Sequence, residues 1–186
     1  MSMSLSVPTL KKYAYNKYFL ETGTYTGGGV QVAAYCGFEH IISIDIDEVY
    51  YNAVKRVYKN SSTDLRFYLG DSAVVLGDII NQINEPITFW LDGHASERMI
   101  VGIAENPLLL ELDIISKHPI KTHTILIDDR RMMGQTVPGD KPWSHVWETV
   151  TEEQVMQKLL VINPNYNIIY EDSTNAKQDI IVAVPQ

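Results

Sequence analysis

The stretch from Tyr18 to Gly29 reads Tyr-Phe-Leu-Glu-Thr-Gly-Thr-Tyr-Thr-Gly-Gly-Gly and runs at once into the apolar residues Val30, Val32, Ala33 and Ala34. An apolar run that ends in an acid, turns on glycines and opens a helix is compatible with few folds. It is how parallel α/β sheets bring backbone N–H groups at a helix start against a small anionic or zwitterionic ligand. The glycine spacing narrows the ligand to something nucleotide-like but not a dinucleotide. Gly23 and Gly27 are separated by three residues, and Tyr25 stands where a dinucleotide-binding turn has its middle glycine. A pyrophosphate needs that glycine for close backbone approach.

The rest of the chain repeats the strand-then-helix rhythm, the signature of a parallel sheet covered on both faces. Strands are predicted at Tyr18 to Glu21, His40 to Asp45, Asp64 to Leu69, Ile87 to Leu91 and Thr124 to Ile127. Helices are predicted at Gly28 to Gly37, Glu48 to Tyr58, Ser72 to Ile83, Leu108 to Ser116 and Thr151 to Leu160, the last with a threonine cap followed by acids. Tyr166 to Tyr170 and Asp179 to Val184 are joined by a connection too short for a crossover helix, so they should pair antiparallel. The expected architecture is five parallel strands closed by an antiparallel C-terminal hairpin, with helices on both faces. Residues 1–186 read as a single domain, with a short N-terminal segment at 1–17. The irregular stretch Arg130 to Trp147, rich in glycine, proline, methionine and tryptophan, is either a substrate loop or a surface loop packed by its own aromatics.

Charge excludes some partners. A net charge of -8 argues against a nucleic-acid backbone or an acidic membrane surface, since both are negative. The single cysteine, Cys36, permits no internal disulfide and reads as a small core residue. No signal-peptide pattern or run of membrane-spanning length is present, so a cytoplasmic location is expected.

Ligand contacts in such a sheet lie outside the carboxyl ends of the strands, and there the acids gather: Glu21, Asp45, Asp71, Asp92 and Asp128. Asp45 is placed to accept hydrogen bonds from both hydroxyls of a ribose. Asp47 suits the cap of the helix from Glu48. Asp71 and Ser72 either address an adenine edge or cap the helix that follows. Asp92, in Trp90-Leu91-Asp92-Gly93-His94, should lie beside Asp128 and Asp129 across adjacent strands. Three carboxylates together call for protons, a positively charged ligand or a hard divalent cation such as magnesium, manganese or calcium. His94 is the candidate general base by position, with Asp92 beside it. His123 falls at the opposite end of the sheet, His118 ends a helix, and His145 belongs to the irregular loop.

The segment Leu20-Glu21-Thr22-Gly23-Thr24-Tyr25-Thr26-Gly27 resembles the first motif of class I S-adenosylmethionine-dependent methyltransferases, most closely that of catechol O-methyltransferase and related small-molecule O-methyltransferases. The resemblance implies a seven-stranded Rossmann-like methyltransferase sheet and S-adenosylmethionine as cofactor. It places Glu21 and the backbone of Gly23 and Thr24 at the amino-acid end of the cofactor, with Tyr25 and Gly27 also among the cofactor-binding residues of the motif. Asp45 then takes the ribose, Ile46 lies against adenine, Asp71 and Ser72 meet the adenine edge, and Asp92 stands near the sulfonium. It also implies a divalent ion, magnesium or another, on Asp92, Asp128 and Asp129. Three departures stand out. Gly29 occupies a position where the family often has a serine for the cofactor carboxylate, Asp128-Asp129 stands where the family has an Asp-Asn pair for the metal, and Ala95 and Ser96 occupy a stretch where it has a lysine.

The expected activity is methyl transfer to a hydroxyl of a small molecule, assisted by a divalent metal. The rivals are a metal-independent enzyme with a sugar or nitrogen acceptor, and a diverged cofactor-binding protein of the same fold. Residues 1–17 are too short to wall the acceptor, so residues 95–106, residues 130–147 or a second copy of the chain in a homo-oligomer must do so.

Overall fold

The computed structural model describes residues 4–95, 100–136 and 142–186. Seven strands, β1 (Tyr18–Thr22), β2 (His40–Asp45), β3 (Asp64–Leu69), β4 (Ile87–Leu91), β5 (Thr124–Ile127), β6 (Tyr166–Glu171) and β7 (Ile180–Pro185), form one sheet in the order β3-β2-β1-β4-β5-β7-β6. β1 to β5 are mutually parallel, and β7 runs antiparallel to both β5 and β6. The chain builds outward from β1 to β3 and then returns to start β4 on the other side of β1. The connections leaving β1 and β4 therefore diverge, and a crevice opens beyond their carboxyl ends.

Alternate side chains along each central strand enter different cores. Leu20, Ile42, Phe89, Leu91, Ile125 and Ile127 pack under α4 (Ser72–Ile80), α5 (Leu108–Lys117) and α6 (Glu152–Ile162). Phe19, Ile41, Trp90 and Leu126 point to the other face, against α1 (Val7–Lys11) and α2 (Gly28–Cys36). α3 (Glu48–Val57) follows β2 and reaches the second core through Tyr58. Strands buried on both faces read as continuous apolar runs, which is why they are visible in the sequence.

The differences from the sequence reading lie at element ends and have local causes. β1 runs on through Thr22, whose register partner on β4 is Leu91. α4 stops at Ile80, where the Asn81 amide closes on Gly77, and Ile83 instead turns into the core. α6 extends to Ile162 and starts with a full capping box between Thr151 and Gln154. A short helix, α1, lies within the N-terminal segment, its start capped by the Ser6 hydroxyl on the Thr9 amide at 3.2 Å. Cys36 is half-buried at the edge of the second core, not inside it. No helix among the described residues is long and apolar enough to cross a membrane.

At the end of the sheet away from the crevice, two histidines are locked in one tautomeric arrangement. The Ile87 amide donates to His123 Nδ1 at 3.1 Å, so His123 carries its proton on Nε2 and donates to His118 Nδ1 at 3.0 Å. His118 Nε2 then donates to the carbonyls of Ile80 and Ile83. Burial first, then the neighbouring His118 and Lys121, push His123 down to about 3 from an ordinary 6.5. A base with a depressed folded pKa stabilises the fold fully above pH 6.5 and loses that contribution as pH falls toward 3. Carboxyl groups whose pKa burial raises, Glu21 and Asp128 among them, act in the opposite sense over the same range, so the contribution of His123 is read by difference. His123→Asn, which keeps an acceptor for the Ile87 amide but cannot be protonated, should gain melting temperature relative to the native chain as pH falls from 7 to 4 in scanning calorimetry.

Candidate functional site

A cavity of about 470 Å³ occupies the crevice, and Glu21, Gly23, Thr24, Tyr25, Asp45, Ile46, Asp71, Ser72, Asp92, His94, Asp128 and Asp129 all line it. Gly27 does not. It stands at the start of α2 with φ +85°, a left-handed conformation, and its open side faces Val54 and Tyr58. Its left-handed conformation turns the chain into α2.

Two close approaches explain the other glycines of the turn. Gly23 has φ +83°, and a Cβ there would lie 2.3 Å from the Asp92 carbonyl oxygen, so the turn after β1 rests directly on the end of β4. A Cβ on Gly29 would lie 1.8 Å from Glu21 Oε2. The Glu21 side chain thus occupies the space at the start of α2 where the related family often has a serine. Its other oxygen accepts from the Ser43 hydroxyl at 2.7 Å. Burial, with a smaller push from Asp45, raises the Glu21 carboxyl to about 8 despite that hydrogen bond.

Asp45 accepts the Tyr25 amide on one oxygen at 2.9 Å and the Asp47 amide on the other at 2.8 Å. Each carboxylate oxygen can accept twice, so the side chain ties two turns together and retains acceptor capacity toward the cavity. Burial raises its pKa, against the pull of those amides. Asp47 caps α3 through the Val49 amide at 2.8 Å. Asp71 caps α4 through the Ala73 amide at 2.9 Å, and its second oxygen accepts the Ile103 amide at 2.7 Å. Both of its oxygens are engaged, and Gly102 leaves room for them, since a Cβ there would lie 2.0 Å from Asp71 Oδ2.

The cluster predicted from Asp92, Asp128 and Asp129 divides into two. Asp92, His94 and Asp129 each offer a ligand atom within 4.8 Å of the others, and so, separately, do Asp128, Asp129 and Asp179. His94 replaces Asp128 in the first group because the Asp128 carboxylate is turned toward the Ser4 hydroxyl, which donates to it. His94 Nδ1 lies 3.5 Å from Asp92 and its Nε2 lies 3.5 Å from Asp129. Trp147 covers the imidazole at a ring separation of 5.1 Å. Burial holds the Asp92 carboxyl well above the usual carboxylate range, with further pushes from Asp128, Asp129, Glu21 and Glu111. Burial likewise lifts Asp128 to about 7 and raises Asp129, while it lowers His94. Arg131 bridges the second group, donating to Asp179 and meeting Asp129 at 2.9 Å.

Four residues of this region were outside the sequence reading. Ser4 and Asn175 line the cavity from opposite ends of the chain, and the Thr174 amide bonds to the Ser4 carbonyl at 2.9 Å. No sequence pattern marks that meeting. Asp179 is fully buried under Arg131. Glu111 is also fully buried, and burial lifts it to about 7. It had a visible signal: it stands on the stripe Leu108, Glu111, Leu112, Ile115 that α5 turns to the core. Of the expected acceptor walls, Ile100, Gly102, Ala104, Glu105, Arg131, Met132 and Trp143 do line the cavity, and His145 pairs with Glu105 at 2.9 Å. Residues 96–99 and 137–141 of those stretches lie outside the described residues.

No protein-family model matches the chain, and no curated protein matches it in sequence. Solved structures do resemble it. An SAH-bound methyltransferase from Podospora anserina shares 13% identity at a TM-score of 0.64, over 97% of this chain and 76% of that one. An O-methyltransferase from Bacillus cereus in complex with SAH shares 13% at 0.66, over 100% and 84%. The O-methyltransferase TomG from Streptomyces achromogenes, involved in tomaymycin synthesis and in complex with SAM, shares 14% at 0.61, over 99% and 82%. The chain has the Rossmann-like class I methyltransferase fold.

The contact between Glu21 and Gly29 makes a quantitative prediction. Gly29→Ala should destabilise the fold by about 1–3 kcal/mol, the usual cost of overpacking. In the Glu21→Ala background the same change should cost far less, because the clashing carboxylate is gone. A double-mutant cycle by urea denaturation measures that coupling.

Proposed function

We propose that this chain transfers a methyl group from S-adenosylmethionine to a hydroxyl of a small molecule, with a divalent cation beside the acceptor. One observation carries the proposal. A single cavity joins the Glu21–Gly29 turn, Asp45 and the Asp92–His94–Asp129 cluster, so a ligand with an amino-acid end and a nucleoside end can span them. The residues fit that ligand. The Glu21 carboxyl, held as an acid to about 8, would give up its proton to sit beside an ammonium group. The amides at the start of α2 suit a carboxylate, with backbone serving where the family has a serine. The spare acceptor capacity of Asp45 suits vicinal ribose hydroxyls. SAM or SAH in the three similar solved structures supports the same assignment.

When bound, the cofactor supplies a methyl group on a positively charged sulfur. The protein's work is to align the acceptor behind that methyl and to take its proton. Burial lowers the pKa of His94, which favours the neutral imidazole, and the ring nitrogen that carries no hydrogen can accept a proton. Asp92 and Asp129 flank it and would stabilise the imidazolium that results. Asp92, His94 and Asp129 are also the residues that would hold a cation, with Asp128 bordering them; His94 would then serve as a ligand in place of a base, and the ion, as Lewis acid and template, would ease loss of the acceptor's proton. A donor set with one imidazole suits manganese or zinc as well as magnesium. A second reading has an observation in its favour: Arg131 already neutralises Asp129 and Asp179, which suits metal-independent transfer to a nitrogen or sugar hydroxyl.

S-adenosylmethionine and S-adenosylhomocysteine should raise the melting temperature, whereas NAD and ATP should not. Asp45→Ala should weaken cofactor binding by about 1.5–3 kcal/mol, the scale of hydrogen bonds to a charged group. Equal stabilisation by NAD would count against the cofactor.

Manganese or magnesium titrated by calorimetry should bind one site per chain. Asp129→Ala and His94→Ala should weaken that binding, and Asp47→Ala should leave it unchanged. Full activity after exhaustive chelation would select the second reading.

A further inference from the structure

Behind the wall that carries Ser72 lies a carboxyl group with no part in the chemistry above. Glu111 rises from α5 and does not itself line the cavity. Its Oε1 receives the Ser72 hydroxyl proton at 2.5 Å, and the Thr22 hydroxyl stands beside the same carboxyl as a second stabilising partner. A Cβ on Gly93 would stand 3.1 Å from the same Oε1, so the absence of a side chain there lets the carboxyl reach the gap between the ends of β1, β3 and β4.

The direction of that hydrogen bond has a consequence for the cavity. A serine hydroxyl has one proton and two lone pairs. With its proton committed to Glu111, Ser72 offers a ligand only lone pairs. The neighbouring Asp71 accepts one amide on each oxygen, from Ala73 and Ile103, and its carboxylate adds acceptors to this wall but no donor. This stretch of wall therefore accepts a hydrogen bond and does not donate one from a side chain. Among purine edges, that matches an exocyclic amino group and opposes an oxo group, which would meet lone pairs with lone pairs.

We propose that Glu111 is a specificity-determining positioning residue, which fixes Ser72 as an acceptor and so makes the site prefer a 6-aminopurine cofactor over its 6-oxo counterpart. The proposal rests on the cofactor assignment made above. Glu111 acts only through Ser72 and touches no substrate. An apolar residue would have continued the α5 stripe, yet the chain places a carboxyl there whose burial is costly without such a role.

The test compares S-adenosylhomocysteine with S-inosylhomocysteine by calorimetry at pH 8.5, above the value to which burial lifts Glu111. The native chain should bind the adenosyl compound at least about 10-fold more tightly, the worth of one hydrogen bond lost and one acceptor opposed. Glu111→Leu continues the apolar stripe and frees the Ser72 proton, which can then turn to an oxo group. It should bring the preference below about 3-fold, with the adenosyl affinity itself changed by a comparable factor. Ser72→Ala, a change at the surface of the cavity, should also reduce the preference and carries the test if Glu111→Leu does not fold. Asp45→Ala should weaken both compounds equally and leave the ratio intact. Failure of the native chain to bind either compound would sink the cofactor assignment and this proposal with it. Binding of the adenosyl compound with the native ratio retained in Ser72→Ala would overturn this proposal alone.

Discussion

The working end of this molecule is governed by the burial of carboxyl groups where few cations meet them. Glu21, Asp45, Asp92, Asp128 and Asp129 face one cavity, and Arg131 is the one lysine or arginine among its described lining residues. Burial raises the cost of each negative charge and the neighbours add repulsion, so each group needs a proton, an amide or a positive ligand. Glu21 and Asp128 take the first remedy in part, held up to about 8 and about 7. Acids with raised folded pKa values stabilise the fold fully below the unfolded carboxylate range, and that contribution fades as pH rises through the folded values. Near neutrality these groups are therefore a strain on the native state, and a positively charged ligand relieves it. The same arrangement that weakens the fold gives the site its affinity for a cation, whether sulfonium, ammonium or metal.

The sheet concentrates these groups because parallel strands end on one side, and the reversal between β1 and β4 opens the crevice there. The two strand ends are not merely adjacent. The left-handed turn at Gly23 seats its backbone against the Asp92 carbonyl, and the Gly23 amide bonds back to Ile44 at 2.9 Å on β2. One residue thus couples the first, second and fourth strands at the point where their acids converge. Any Cβ at Gly23 would separate the Glu21 turn from the Asp92–His94 segment. The site is accordingly a property of backbone packing before it is a property of side chains.

Much of this was legible in the sequence, for a physical reason. Doubly covered strands are unbroken apolar runs, and the turn at their carboxyl end is marked by residues that only backbone geometry or ligand contact demands. The strand order, the hairpin and the positions of Glu21, Asp45 and Asp92 follow from those signals and from the family resemblance. What escaped depends on the third dimension. The meeting of Ser4 with Asp128 joins residues 124 positions apart, and no local pattern announces it. It engages the Asp128 carboxylate, while His94 joins Asp92 and Asp129 in the other group. Gly27 shows the converse: a glycine required by helix entry looks the same in sequence as one required by a ligand. Glu111 was readable in principle, since a carboxyl on an apolar helical stripe is expensive unless something receives it.

The acids at the strand ends show how a structure separates the two reasons for an aspartate in such a position. Capping and ligand binding favour the same residue at the same place, so sequence cannot divide them. The origin of the amides can. Asp47 directs an oxygen to the start of its own helix, and Asp71 accepts one amide from its helix and one from the loop at Ile103. Asp45 receives its two amides from two turns that frame the cavity. Those amides orient the carboxylate before any ligand arrives, and preorganisation of that kind lowers the cost of binding. Asp92 receives no such amide on its side chain in the hydrogen bonds described, and its carboxyl is held far above the usual range. It stands between the turn that would hold the cofactor and the histidine that would take the proton. A carboxyl in that condition is expensive to maintain, and the positive centre of a bound ligand is the partner that its position fits.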